Sequence, residues 1–197
     1  MLPLVCPGCG GRGAPVCARC LADLAPAHHA APPAGVDRWA AAFAYRGVAR
    51  ELVARVKYRN ARAVVPWLAA TMAERARADG LDATTVSWAP TTVQHRRARG
   101  FDPAELLARG VARELGARRV RLLARLPGPA QTGLDAAARR VGPHFVARGR
   151  PPARVLLVDD VATTGATLAA AAHALRVAGA SNVVAVTAAR TPPPGSA

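Results

Sequence analysis

The stretch RVLLVDDVATTGAT, residues 154–167, decides the fold. Val155, Leu156, Leu157 and Val158 form an unbroken apolar run, the pattern of a strand buried on both faces of a parallel sheet. Two acids, Asp159 and Asp160, close the run, and Thr163, Thr164, Gly165 and Thr167 follow them. Residues 165–177 then place Leu168, Ala172 and Leu175 on one helical face. The order is therefore strand, loop, helix, with carboxylates at the strand's C-terminal end, where open α/β sheets hold ligands. Threonine hydroxyls can donate to phosphate oxygens, and a glycine lets backbone approach a ligand closely. The loop opens a helix, whose free N–H groups and positive dipole end make an anion cradle. Adjacent carboxylates accept hydrogen bonds from vicinal sugar hydroxyls or hold Mg²⁺ through its water shell. These residue types favour a sugar whose hydroxyls stand beside a phosphate. The plainer alternative is an Asp-Asp turn that caps the helix at Thr163 or Thr164.

Working outward, residues 183–187 and 84–88 (TTVSW) read as further strands, the latter ended by Pro90. Val48, Leu52 and Val56, then Val64, Leu68 and Met72, recur every four residues, so two amphipathic helices are expected before the first central strand. Asp102, Pro103 and Glu105 combine an N-cap, a first-position proline and a capping-box acid. They start a helix with Leu107, Val111 and Leu115 buried, ended by Gly116. Residues 120–123 read as a strand, and residues 127–144 as a long surface loop of the kind that covers active sites. Short apolar strands alternating with helices give an α/β fold with a parallel, helix-covered sheet.

A second segment, WAPTTVQHRRARGFDPAELL (residues 88–107), sets Arg96, Arg97 and Arg99 in the loop between a strand and a capped helix. Arginine forks match diphosphate oxygens bidentately, whereas the bland reading is a solvated basic loop. The thirteen residues from Val155 resemble, position by position, the motif for 5-phosphoribosyl-1-pyrophosphate (PRPP) of type I phosphoribosyltransferases. The arginine segment resembles that of the ComF family, whose members are similar to type I phosphoribosyltransferases and include proteins linked to bacterial DNA uptake. The resemblance implies PRPP binding by Asp159, Asp160, Val161, Ala162, Thr163, Thr164, Gly165, Ala166 and Thr167. It implies a pyrophosphate loop of Arg96, Arg97, Arg99 and Gly100, and Asp159, Asp160, Arg96 and Arg99 as the catalytic set, with Mg²⁺ accompanying PRPP. Asp102-Pro103 and Thr91-Thr92 depart from the family's usual residues. Gln131, Thr132, Gly133, Leu134, Arg139 and Phe145 resemble a further family loop, and Lys57-Tyr58 its Lys-Tyr element. The Lys57 cation could reach phosphate there or snorkel at the surface.

Cys6-x2-Cys9 and Cys17-x2-Cys20 can direct four thiolates at one structural Zn²⁺, a reading held against free thiols or a disulfide pair. The ComF family also begins with such a pair. The expected organisation is a zinc knuckle at 1–25, a Pro-rich linker at 26–36, a phosphoribosyltransferase-like domain at 37–190 and a disordered tail at 191–197. A formal charge of +15 attracts phosphate-rich partners, yet Lys57 is the only lysine, and the accompanying excess of Ala, Gly and Pro reads equally as GC-rich coding bias. The apolar stretches are too short to span a bilayer, and residues 1–9 lack a basic-then-apolar leader, so a cytoplasmic location without a membrane partner is expected. Gly8-x-Gly10-x-x-Gly13 lies among the cysteines without a preceding strand, and neither a phosphate-loop lysine motif nor a serine-hydrolase elbow is present. Two functions remain open. One is an enzyme that transfers phosphoribosyl to an unknown acceptor; the other is a non-catalytic adaptor for single-stranded DNA or a DNA-uptake helicase.

Overall fold

The computed structural model describes residues 5–12, 15–58, 62–81, 83–127 and 143–192. In chain order these form α1 (Ala18–Ala22), β1 (Arg38–Ala44), α2 (Gly47–Tyr58), a 3-10 turn (Arg62–Val64), α3 (Val65–Ala78), β2 (Thr85–Trp88), α4 (Val93–Arg99) and α5 (Pro103–Leu115). Then follow β3 (Arg118–Arg119), β4 (Leu123–Arg125), β5 (Phe145–Ala147), β6 (Arg154–Ala162), α6 (Ala166–Val177) and β7 (Asn182–Arg190). No helix among the described residues is long and apolar enough to cross a membrane.

Five strands make one parallel sheet in the order β1-β7-β6-β2-β3. The pleat sends alternate residues of the central strands to opposite faces. Leu156, Val158, Val184 and Val186 pack with Leu52, Leu68 and Leu107 of α2, α3 and α5, while Val155, Leu157, Val183 and Ala185 pack with Leu168 and Leu175 of α6. The sheet is thus covered on both sides. The chain leaves β2 for β3 in one direction and β6 for β7 in the other, so the topological switch lies between β2 and β6, and a crevice opens beyond their carboxyl ends.

Asp102 caps α5 as its sequence implies: its Oδ1 accepts from Ala104 N at 3.1 Å, Pro103 stands at the first position, and Gly116 ends the helix with φ 66°. Glu105 does not complete a capping box with its carboxylate turned to the cap; it meets Arg119 at 3.0 Å and Arg96 at 3.5 Å. The two amphipathic helices do precede β2, the first central strand, and an edge strand that the sequence did not announce, β1, comes before them and pairs with β7. Two other expectations are corrected. Residues 120–123 are not one strand: β3 ends at Arg119, and Leu123 opens β4, which pairs antiparallel with β5 outside the main sheet. The arginine segment is not an open loop but the short helix α4, capped by Thr92, whose hydroxyl accepts from His95 N at 3.1 Å.

The cysteine segment does not stand apart from this core. Cys6, Val16 and Cys20 are buried in the same cluster as Leu52 and Val53, with Val48 packed against them. The segment 26–36 begins along the edge of β1, joined at Pro26 and Phe43, and crosses to α6, where Gly35 lies against Ala172; on the way Arg190 donates to the His28 carbonyl at 3.0 Å. Pro33 then reaches Gly165, where a Cβ would lie 2.7 Å from the proline ring.

Candidate active site

β6 carries its acids to the switch point because the apolar run ahead of them is drawn into the sheet. Asp159 pairs in register with Thr187 and is 8% exposed, while Asp160 is half-buried. Both lie inside the strand, which continues to Ala162, so the strand is longer than its apolar run. A cleft of about 290 Å³ opens there, and Asp159, Asp160, Val161 and Thr167 form its β6–α6 wall. Pro90, Thr91 and Asp102 close the β2 side, and Lys57, His95, Arg99 and Arg125 bring the basic groups.

The electrostatics follow from burial. Loss of water pushes the Asp159 carboxyl well above its usual range; the Asp160 charge adds to this, while a hydrogen bond from Asp160 N to Asp159 Oδ1 (2.8 Å) and the Lys57 charge oppose it. Lys57 Nζ sits 2.9 Å from Asp160 Oδ1. Burial alone would lower the lysine's pKa, but the Asp160 charge, their hydrogen bond and the Asp159 charge together outweigh it and the net shift is upward. Asp102 is also raised by burial, against the backbone N–H groups of Thr91, Glu105 and Ala104 that hold it. Its Oδ2 accepts from Thr91 N at 2.9 Å, so one carboxylate both starts α5 and fixes the turn that leaves β2. Burial pushes Arg125 downward, against the attraction of Asp159 and Asp102.

The loop after the acids reaches α6 through Gly165, which adopts φ 77°, a left-handed conformation that suits a residue without Cβ. The Thr164 hydroxyl accepts from Ala166 N at 3.3 Å, but the N-cap of α6 is Gly165, which offers no side chain, and the two acids lie within β6 rather than in a turn, so the plainer Asp-Asp cap is not what the structure has. Thr163, Thr164 and Ala166 are exposed around that first turn, whereas Ala162 is buried against β7. Of the arginine segment, Arg99 lines the cleft, its guanidinium 4.9 Å from the centre of the Tyr58 ring. Arg96 is turned to Glu105, Arg97 is exposed, and Gly100 ends α4 with φ 76°. Gln131, Thr132, Gly133, Leu134 and Arg139 lie outside the described residues.

Sequence reasoning missed Arg125, because its strand, three residues long, gives almost no periodic signal. It left the Lys57 reading open, since the contact with Asp160 spans about half the chain and nothing local announces it.

The four cysteine sulfurs lie within 4.8 Å of one another. Tetrahedral Zn–S bonds of about 2.3 Å place sulfurs roughly 3.8 Å apart, so the cluster fits a zinc ion. Gly10, with φ 78°, turns the chain after Cys9, and Cys17 N–H donates to Cys6 Sγ at 3.4 Å. Burial raises the Cys6 thiol, but N–H donation from Cys17, Cys9 and Gly8 prevails and lowers it to about 6, while burial takes Cys20 up to about 12. The second pair sits at the start of α1, with Cys17 as its N-cap and Cys20 one turn on.

Over 90 residues the sequence is 47% identical to an adenine phosphoribosyltransferase of Frankia alni, covering 43% of this chain and 44% of that protein. The chain is thereby related to a phosphoribosyltransferase, although the match spans less than half the length of that curated relative. No family model matches. The solved structure of the allosteric regulatory enzyme of purine biosynthesis aligns over 63% of this chain and 25% of its own, with 21% identity and a TM-score of 0.42, too distant a likeness to carry function.

Proposed function

We propose that the protein binds PRPP with Mg²⁺ and transfers its phosphoribosyl group to a nitrogen nucleophile, releasing pyrophosphate. The observation that carries this reading is the convergence of Asp159, Asp160 and Thr167 at the switch point, in one cleft with Arg99 and Lys57. In this reading Asp159 and Asp160 accept the ribose hydroxyls, and the loop 161–167 with the first turn of α6 takes the 5′-phosphate. Arg99 takes the diphosphate, with Arg96, Arg97 and Gly100 of the same segment around it. Carboxylate oxygens are suited to Mg²⁺, which when bound supplies charge neutralisation for the leaving diphosphate. Bond breaking to diphosphate runs ahead of bond making to nitrogen, so the anomeric carbon passes through an oxocarbenium-like state. Positioning and charge complementarity then do most of the catalysis.

The finer reading is membership of the ComF family, with its link to DNA uptake. It is supported by the arginine segment and by the cysteine cluster ahead of the phosphoribosyltransferase-like part of the chain. Zn²⁺ at Cys6, Cys9, Cys17 and Cys20 is structural in this proposal. A second reading, a non-catalytic adaptor binding single-stranded DNA or a helicase, is favoured by the +15 charge and the exposed Arg97.

Pyrophosphate release from PRPP across a panel of nitrogen acceptors, beside calorimetric PRPP titration, tests both. Turnover on one acceptor supports the enzyme, and saturable binding without turnover on any supports the adaptor. Wild-type-like PRPP affinity in a folded Asp159→Asn, Asp160→Asn protein removes the site assignment altogether.

A further inference from the structure

Lys57 is the chain's only lysine, in a protein whose other basic side chains, histidines aside, are all arginine. If that usage were compositional alone, the one ammonium would have no reason to stand in the cleft. It stands 2.9 Å from Asp160, with 20% of the lysine side chain and 14% of the aspartate exposed. An ammonium is a compact point charge with three rotatable donors on a flexible stem, whereas a guanidinium is a rigid planar fork. The site therefore holds the one cation of the chain suited to letting go of one oxygen and taking another.

The surroundings give it somewhere to go. Lys57 lines the carboxylate cleft and also a second cleft, of about 450 Å³, whose walls include Tyr58, His95, Arg99 and Phe101. It thus sits on the border between the acids, which suit ribose hydroxyls and a hydrated cation, and the basic groups, which suit phosphate. A divalent cation arriving beside Asp160 repels an ammonium already there, more strongly in a half-buried site than in water. An anionic diphosphate on the other side attracts it.

Resting on the PRPP reading, we propose that Lys57 is the resident counter-cation of Asp160 in the ligand-free protein and is exchanged for ligand-borne Mg²⁺ when PRPP binds, its ammonium passing to a diphosphate oxygen. Lys57 thereby couples arrival of the metal at the acids to capture of the diphosphate. The lysine competes with the ribose–metal end of the ligand and assists the diphosphate end, so its removal has opposite effects on two probes.

The test uses ribose 5-phosphate with Mg²⁺, which lacks the diphosphate, and PRPP with Mg²⁺. Lys57→Met is expected to bind ribose 5-phosphate at least threefold more tightly than wild type and PRPP at least tenfold more weakly. Lys57→Arg, which keeps the charge but not the compact ammonium, should fail to restore PRPP affinity. A merely structural lysine would move both affinities in one direction, and that result overturns the proposal.

Amine acylation of the wild-type protein gives a readout without any variant, because Lys57 is the one side-chain amine and is read by peptide mass. Relative to the free protein, labelling should rise severalfold with Mg²⁺–ribose 5-phosphate and fall below the starting rate with Mg²⁺–PRPP. Unchanged labelling while calorimetry shows both ligands bound overturns cation exchange and leaves the PRPP reading standing. Absence of binding by either ligand in the wild-type protein sinks the parent reading and this inference with it.

Discussion

At the scale of single residues, the carboxylate that a ligand would need is one the fold holds at a cost. Asp159 is 8% exposed and its carboxyl is raised by burial and by Asp160, so ionising it opposes folding. Asp159→Asn keeps the shape and removes the buried charge. We expect it to stabilise the ligand-free protein by on the order of 1 kcal/mol in urea denaturation, while PRPP affinity falls by about 1.5–3 kcal/mol in calorimetry, the worth of a hydrogen bond to a charged group. The pH dependence has a defined sign. In the window between the unfolded carboxyl's pKa and the raised folded one, the native state binds more protons, so this group makes the free protein less stable as pH rises through the window. PRPP binding should move the other way, weakening as pH falls through the folded pKa because the ionised acceptor is lost. Asp159→Asn should flatten both contributions, and a wild type whose stability and affinity shift together in that window would count against the assignment.

Elements meet at points where no side chain fits. Gly110 of α5 lies so close to α3 that an added Cβ would collide with the Ala69 Cβ. Gly110→Ala gains about 1 kcal/mol of helix propensity but overpacks a fully buried neighbour, at a cost of about 1–3 kcal/mol. We expect net destabilisation, read as a lower urea midpoint with unchanged slope, and relief on combining it with Ala69→Gly. Gly165→Ala meets two obstacles, φ 77° and the Pro33 ring at 2.7 Å. It should cost stability by about 1–2 kcal/mol from the left-handed backbone alone and weaken PRPP further, because the loop must shift. Neither glycine declares its neighbour in the sequence. What the sequence does declare follows from strong local chemistry: the apolar run before Asp159, the cap Asp102-Pro103 and the terminator Gly116 all appear in the fold. β1 was illegible because four of its seven residues are alanine, which favours helix and carries little strand signal. The α4 helix was illegible because it buries none of its residues and so has no apolar stripe to read. At the site, the acids and the threonine loop were legible because their chemistry is contiguous, whereas Lys57 and Arg125 reach the cleft from remote elements.

Across the whole molecule, the cysteine cluster behaves as part of the core. Cys6 and Cys20 are nearly inaccessible and pack in one cluster with Val16, Leu52, Val53 and Val56, and a Cβ on Gly8 would lie 2.7 Å from Cys20 Sγ. A metal there ties residues 5–12 to the start of α1, and that unit is joined to α2 by the packing of Cys6, Val16 and Cys20 with Leu52 and Val53. Metal that binds only the folded chain stabilises it by about 2.7 kcal/mol at a hundredfold excess over Kd and by more at tighter binding. For a chain of this size each kcal/mol moves the melting temperature by about 2–4 °C. We therefore expect the purified protein to carry close to one equivalent of zinc by elemental analysis, and strong chelation to lower its melting temperature by at least about 5 °C. The decisive feature is the shape of the transition. A knuckle folding on its own would give a separate, early step and leave the main melt where it was. A knuckle packed into the shared core should move the single main transition bodily, and Cys17→Ser should reproduce the shift without further response to chelator. PRPP affinity in Cys17→Ser, measured well below its melting temperature, should change by less than about threefold, because the acids and the loop 161–167 are set by β6 and α6 rather than by the metal. Zinc below about a third of an equivalent, or a chelator that splits the melt in two, would sever the cluster from the core.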